Sequence, residues 1–172
     1  MTTAEPMLST LVLPFVPVAS RALPRKTHYL QPGQVLACPE PTTVTTILGS
    51  CVSVCLWDHR KGVGAMNHYV LPHGYEAREQ SLRSGPIAIA RLIEEMRALG
   101  CAPSDLRAKL FGGAWILAAP LRPDHVGAMN VQVARAELSR AGIPIMAEDV
   151  GGDRGRKIVF HTESGIALVK KL

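Results

Sequence analysis

The sequence predicts an α/β fold: a single-domain sandwich of mixed β-sheet with layered helices. Three observations predict it. Several short apolar runs alternate with period two, and two longer stretches repeat their apolar residues at helical spacing. Aromatic residues make up only 5% of the chain, so the core rests on Val, Ile, Leu and Ala. Strands and helices also interleave without strict alternation, which favours a mixed sheet over a doubly wound one. At 172 residues the chain is most simply one domain with a substantial core.

Taken in order, residues 1–27 read as a poorly ordered N-terminal extension. The segment "LPFVPVASRALP" carries three prolines, and no period of 2 or 3.6 is sustained there. The domain proper runs over residues 28–172, and "PGQVLACPEPTTV" punctuates the approach to its first clear strands. Residues 44–48 (VTTIL) and 51–57 (CVSVCLW) are predicted strands flanking Gly49-Ser50. Residues 62–71 (GVGAMNHYVL) follow as another, after the polar turn at 58–61. "GPIAIARLIEEMRALG" is the clearest helix, with Pro86 in its first turn, Ile89, Ile93 and Met96 on one face, and Gly100 as its stop. "RAKLFGGAW" reads as a strand entering a glycine pair. A second helix is expected to start at Asp124 as N-cap, pack Val131, Ala134, Leu138 and Ala141, and end at Gly142. "IPIMAED", "RKIVFH" and "GIALVKK" close the chain as strands.

The net charge of +5 permits an acidic partner without naming one. Basic residues are scattered and nowhere interleave with aromatics, so no nucleic-acid surface is expected. Four cysteines are too few for a disulfide scaffold. The apolar run "LSTLVLPFVPVAS" lacks a preceding basic region and is broken by Pro14 and Pro17, which argues against a signal peptide or membrane insertion. A cytoplasmic, reducing setting is the resulting expectation.

The chemistry concentrates in Cys51-x3-Cys55-x12-His68-x4-His73. A zinc finger has this spacing, but its local structure is wrong. Cys51 to Cys55 contains β-branched residues and no turn former, and Pro72 breaks any helix that would carry both histidines. No metal and no cofactor are expected. A nucleophile reading needs a reachable thiol, a base and a group orienting the base. Alternation puts Cys51, Ser53 and Cys55 on one side of their strand. Gly49 and Ser50 could aim backbone N–H groups at an oxyanion, and Asn67 is a side-chain alternative. Asn67 and His68 interrupt an apolar strand, which is costly unless each is hydrogen-bonded or working. Thr45 and Thr46 could each offer a hydroxyl to the histidine. The residues alone also fit a packed core cysteine and a structural histidine.

"TTILGSCVSVCLWD" followed by "GVGAMNHYVLP" resembles the signature of the chemoreceptor glutamine deamidase family, CheD. The similarity extends through "HYLQPGQV", "KLFGGA", "VGAMN" and "AEDVGGDRGRKIVFHTESGIALV", over about residues 28–170. The resemblance implies an α/β amidohydrolase that converts glutamines of methyl-accepting chemotaxis receptors to glutamate, with glutamyl methyl ester hydrolysis in some members. It implies receptor cytoplasmic domains as substrate and, for some relatives, a chemotaxis phosphatase as partner. It places the nucleophile on Cys51, the base on His68 and a threonine on Thr45, six positions before the cysteine. One departure stands out: where relatives carry an Arg-Tyr pair before the first helix, this chain has Arg83-Ser84. The alternative expectation is a catalytically weak module that regulates by docking on a receptor or phosphatase.

Overall fold

Alternating apolar residues make stable strands when their apolar face finds cover, and the arrangement of layers supplies it. In a computed structural model of the chain, which describes residues 25–73, 81–117 and 122–172, nine strands form two sheets and two helices lie on one of them. The strands are β1 (Lys26–Tyr29), β2 (Gln34–Cys38), β3 (Thr42–Leu48), β4 (Val52–Asp58), β5 (Val63–His68), β6 (Leu106–Gly112), β7 (Ile145–Val150), β8 (Arg156–His161) and β9 (Ile166–Lys171). Helix α1 (Gly85–Ala98) separates β5 from β6, and α2 (Val126–Arg140) separates β6 from β7.

One sheet runs β1-β3-β8-β9 and the other β2-β5-β4-β6-β7, each containing both parallel and antiparallel pairs. The five-stranded sheet is the middle layer. One face packs Val52, Val54, Leu56, Ala65, Leu106, Ala108 and Leu110 against Ala88, Ile89, Leu92 and Met96 of α1 and Val131, Ala134 and Leu138 of α2. The other face packs Cys55, Met66 and Phe111 against Val44, Leu48, Ile158 and Phe160 of the four-stranded sheet. Central β4 is therefore buried on both sides from Val52 to Leu56, and its alternation sorts residues between two cores. Each fully buried Leu, Ile or Met contributes roughly 1.5–3 kcal/mol.

Several expectations shift. Lys26 and Thr27, assigned above to the extension, already belong to β1, while residues 1–24 lie outside the described residues. β1 is exposed along its whole length, so no apolar pattern announces it; parallel pairing with β3 forms it. β2 turns "QVLAC" from punctuation into the edge of the middle sheet, launched by a turn at Gly33 (φ +80°). α2 is capped by His125, whose Nδ1 accepts the Ala128 N–H at 3.2 Å, whereas Asp124 pairs with Arg122 in solvent. Among the described residues no helix is long and apolar enough to cross a membrane.

Candidate active site

Register places Cys51 and His68 on one face of neighbouring strands. β4 and β5 pair from Asp58↔Val63 to Cys55↔Met66 and meet again at Val52↔Tyr69. The same register sets Ser53 opposite His68 and Cys51 one diagonal step away. Diagonal neighbours lie about 7–8 Å apart at the backbone, within reach of longer side chains. Cys51 and His68 both face the four-stranded sheet, at the end where the ladder opens. Cys51 is partly exposed and His68 is buried.

His68 is oriented by β3. The Thr46 hydroxyl lies 2.8 Å from His68 Nδ1 and donates to the Leu30 carbonyl at 2.8 Å. A hydroxyl has one proton, and the Leu30 carbonyl can only accept it. The lone pair of Thr46 must then accept a proton from Nδ1, which fixes the neutral tautomer with Nδ1–H. His68 Nε2 is left as a bare acceptor, buried and without a hydrogen-bond partner among the described residues. Of the two threonines the sequence offered, Thr46 reaches His68 and Thr45 does not. Strand alternation is the reason, since Val44, Thr46 and Leu48 point into the core and Thr45 faces the opposite side.

Electrostatics favour a neutral resting pair. Burial pulls the His68 imidazole down to about 4, helped by the nearby Arg83 charge and opposed by the Leu30 carbonyl. Burial pushes the Cys51 thiol above its ordinary range, while the Arg83 charge and the residue's own backbone N–H pull the other way. A thiol beside a neutral base fits these shifts better than a preformed thiolate–imidazolium pair.

The backbone before Cys51 is pinned carbonyl by carbonyl. Gly113 N–H donates to the Cys51 carbonyl at 2.8 Å, Ala114 N–H to that of Gly49 at 2.8 Å, and Asn130 Nδ2 to that of Ser50 at 3.0 Å. No described residue accepts from the N–H of Ser50 or Cys51. The Cys51 N–H faces its own thiol and that of Ser50 lies one peptide before it, so the two are candidate donors for an oxyanion hole. Glycines allow this approach: a Cβ on Gly112 (φ +111°) would run into the Cys51 carbonyl, and one on Gly127 would lie 2.6 Å from the Gly113 carbonyl.

Of the oxyanion candidates, Gly49 and Ser50 belong to this pinned turn, but Asn67 does not serve it. Asn67 follows Ala65 and precedes Tyr69 on the helix-facing side, opposite to Cys51. Its Oδ1 accepts the Val54 N–H at 2.8 Å and its carbonyl accepts the Ser53 hydroxyl, so it is a strut across the open ladder. Cys55 sits in the inter-sheet core, where burial drives its thiol far upward and leaves it inert. His73 is exposed. Among the described residues no group of three metal-ligating side chains forms. Asn130, fully buried on α2, was not singled out by the sequence reading; its signal was a polar residue on the helical face of Ala134 and Leu138.

A family model described as CheD chemotactic sensory transduction matches residues 70–171. The chain belongs to the CheD family. Within that family it is 46% identical over 144 residues to a "Probable chemoreceptor glutamine deamidase CheD 1" of Anaeromyxobacter dehalogenans, covering 84% of each chain. A "Probable chemoreceptor glutamine deamidase CheD" of Rhodospirillum rubrum is 44% identical over 144 residues, covering 84% of this chain and 81% of its own. Among solved structures, YlmD from Geobacillus stearothermophilus overlays with a TM-score of 0.46 at 16% identity, covering 73% of this chain and 59% of that one. The CheD match begins at residue 70, after Cys51 and His68, whereas the relatives extend the likeness over most of the chain.

Proposed function

We propose that this chain is a chemoreceptor glutamine deamidase that works through a cysteine thioester, with Cys51 as nucleophile, His68 as base and Thr46 orienting the base. The observation that carries the reading is the Leu30–Thr46–His68 relay, which leaves Nε2 as a bare acceptor on the face shared with Cys51. As the Cys51 sulfur attacks the glutamine Cδ, its proton passes to His68 Nε2, and the carbonyl oxygen becomes an anion held by the Ser50 and Cys51 N–H groups. The imidazolium then gives that proton to the departing nitrogen, ammonia leaves, and a thioester remains. Water enters, loses a proton to the same Nε2, and cleaves the thioester to glutamate and free thiol. Glutamyl methyl esters fit the same steps, with methanol in place of ammonia. Action on receptor cytoplasmic domains makes a cytoplasmic location part of this proposal. Docking to a chemotaxis phosphatase is proposed on the family resemblance alone, and calorimetric titration with the purified phosphatase tests it.

Purified protein is incubated with a receptor cytoplasmic fragment, and mass spectrometry follows conversion of glutamine to glutamate. Conversion by the wild type and none by Cys51→Ala is the expected result. Full activity in Cys51→Ala would end the thioester mechanism.

A further inference from the structure

The Ser50–Cys51 peptide owes its orientation to a side chain from a different layer of the fold. Asn130 Nδ2 donates both to the Ser50 carbonyl at 3.0 Å and to the Val70 carbonyl at 2.9 Å. Two carbonyl acceptors fix which end of the amide faces them, since its oxygen could bond neither. The residue is fully buried, and its own carbonyl accepts the Tyr69 hydroxyl at 2.5 Å, so the helix turn carrying it is tied to the residue that follows β5 as well. Asn130 therefore bridges the segments that enter β4 and leave β5, where the ladder between them opens.

We infer that Asn130 is a positioning residue that sets the oxyanion hole by holding the Ser50 carbonyl. In a trans peptide the C=O and N–H point in opposite directions, so drawing the Ser50 oxygen toward α2 turns the Cys51 N–H away from α2. Cys51 faces the four-stranded sheet, away from the helices, and that is where an oxyanion on its substrate would form. The neighbouring Gly49–Ser50 peptide is set in the same way by the Ala114 N–H. Asn130 supplies the one side-chain hydrogen bond among the three that pin this turn, so it can be altered without touching the backbone. The inference rests on the deamidase reading of the site.

The test uses Asn130→Asp and Asn130→Ser in the full chain, with two rates measured on each. One is glutamine deamidation of the receptor fragment, which needs an oxyanion hole. The other is alkylation of Cys51 by iodoacetamide, a displacement that forms no oxyanion. Asn130→Asp turns both donor contacts into oxygen facing oxygen, and kcat is expected to fall by about 10²–10³-fold. KM and the alkylation rate stay within about threefold of wild type, as expected for an interaction made only in the transition state. Recovery of kcat on acidification, as the carboxyl gains a proton to donate, further supports the role. If Asn130→Asp fails to fold, Asn130→Ser carries the same comparison with one donor retained and an intermediate loss. Unchanged kcat in a folded variant overturns the inference while the deamidase reading stands, and so does alkylation falling in parallel with turnover. No turnover by the wild type overturns both.

Discussion

Replacing Thr46 with valine removes one oxygen and keeps the shape of the side chain. In the fold that oxygen takes part in two hydrogen bonds of 2.8 Å, one to the Leu30 carbonyl and one to His68 Nδ1, and Thr46 is fully buried. Neither lost partner is compensated by water without rearrangement, so each orphaned group costs about 1–3 kcal/mol. Destabilisation of roughly 2–4 kcal/mol follows, allowing for partial relaxation. The kinetic effect is separate. Without Thr46 the tautomer is no longer fixed, and every molecule carrying its proton on Nε2 lacks the acceptor that the thiol needs. General-base catalysis contributes about 10²–10⁴-fold in all, and Thr46→Val unfixes the base without removing it, so kcat/KM for deamidation should fall by up to about 10²-fold. Thr45→Val is the control, because Thr45 faces the other side of β3, and it should stay within about threefold of wild type. Ammonia release from a receptor fragment, with thermal melting on the same samples, measures both effects. A dead Thr45→Val beside an active Thr46→Val would refute the orientation argument.

The acid limb of kcat/KM should lie well below 6.5, near the value of about 4 to which burial draws His68. A limb at 6.5 would show that the imidazole is not desolvated in the working enzyme. The same shift acts on stability. His68 has a folded pKa below its unfolded value, so the unfolded chain binds the extra proton first. Stability is complete above about pH 6.5 and declines as pH falls toward 4, by about 3 kcal/mol at most. Denaturant titrations of wild type and His68→Gln should show this slope in the first and lose it in the second. Cys51→Ala should abolish turnover while melting near wild type, because Cys51 is partly exposed; Cys55→Ala should keep turnover and lose about 1–2 kcal/mol of stability from the inter-sheet core. Gly112→Ala combines a positive φ with a Cβ directed at the Cys51 carbonyl, and should cost about 3 kcal/mol together with most activity. Retained melting temperature in that variant would show that the turn has slack.

Much of this site can be read along the chain because it sits where periodicity is strict. Two cores flank β4, so the alternation of Val52, Val54 and Leu56 against Cys51, Ser53 and Cys55 reports the true faces of the strand. The same rule, applied to β3, would have chosen between the threonines. Val44 and Leu48 are the apolar residues two places either side of Thr46, so the core-facing hydroxyl belongs to Thr46. Matching the family by distance from the cysteine favoured Thr45 instead, since it counts residues without asking which way they face. β1 was hidden for another reason: none of its four residues is buried, and only its partner strand defines it. Asp124 has the better capping chemistry, but His125 falls at the residue where the chain enters helical geometry. Asn130 could only be understood once α2, β4 and β5 had been brought together, because its two acceptors lie 60 and 80 residues away.

The neutral resting state of Cys51 and His68 bears on how the protein endures its surroundings. Peroxide attacks thiolates, and climbing from sulfenic to sulfinic acid starts from the ionised sulfur. Burial raises the Cys51 thiol above its ordinary range, which lowers the thiolate fraction open to oxidants. In the proposed mechanism the thiolate forms only as the sulfur attacks an amide carbonyl, so exposure to peroxide is confined to turnover.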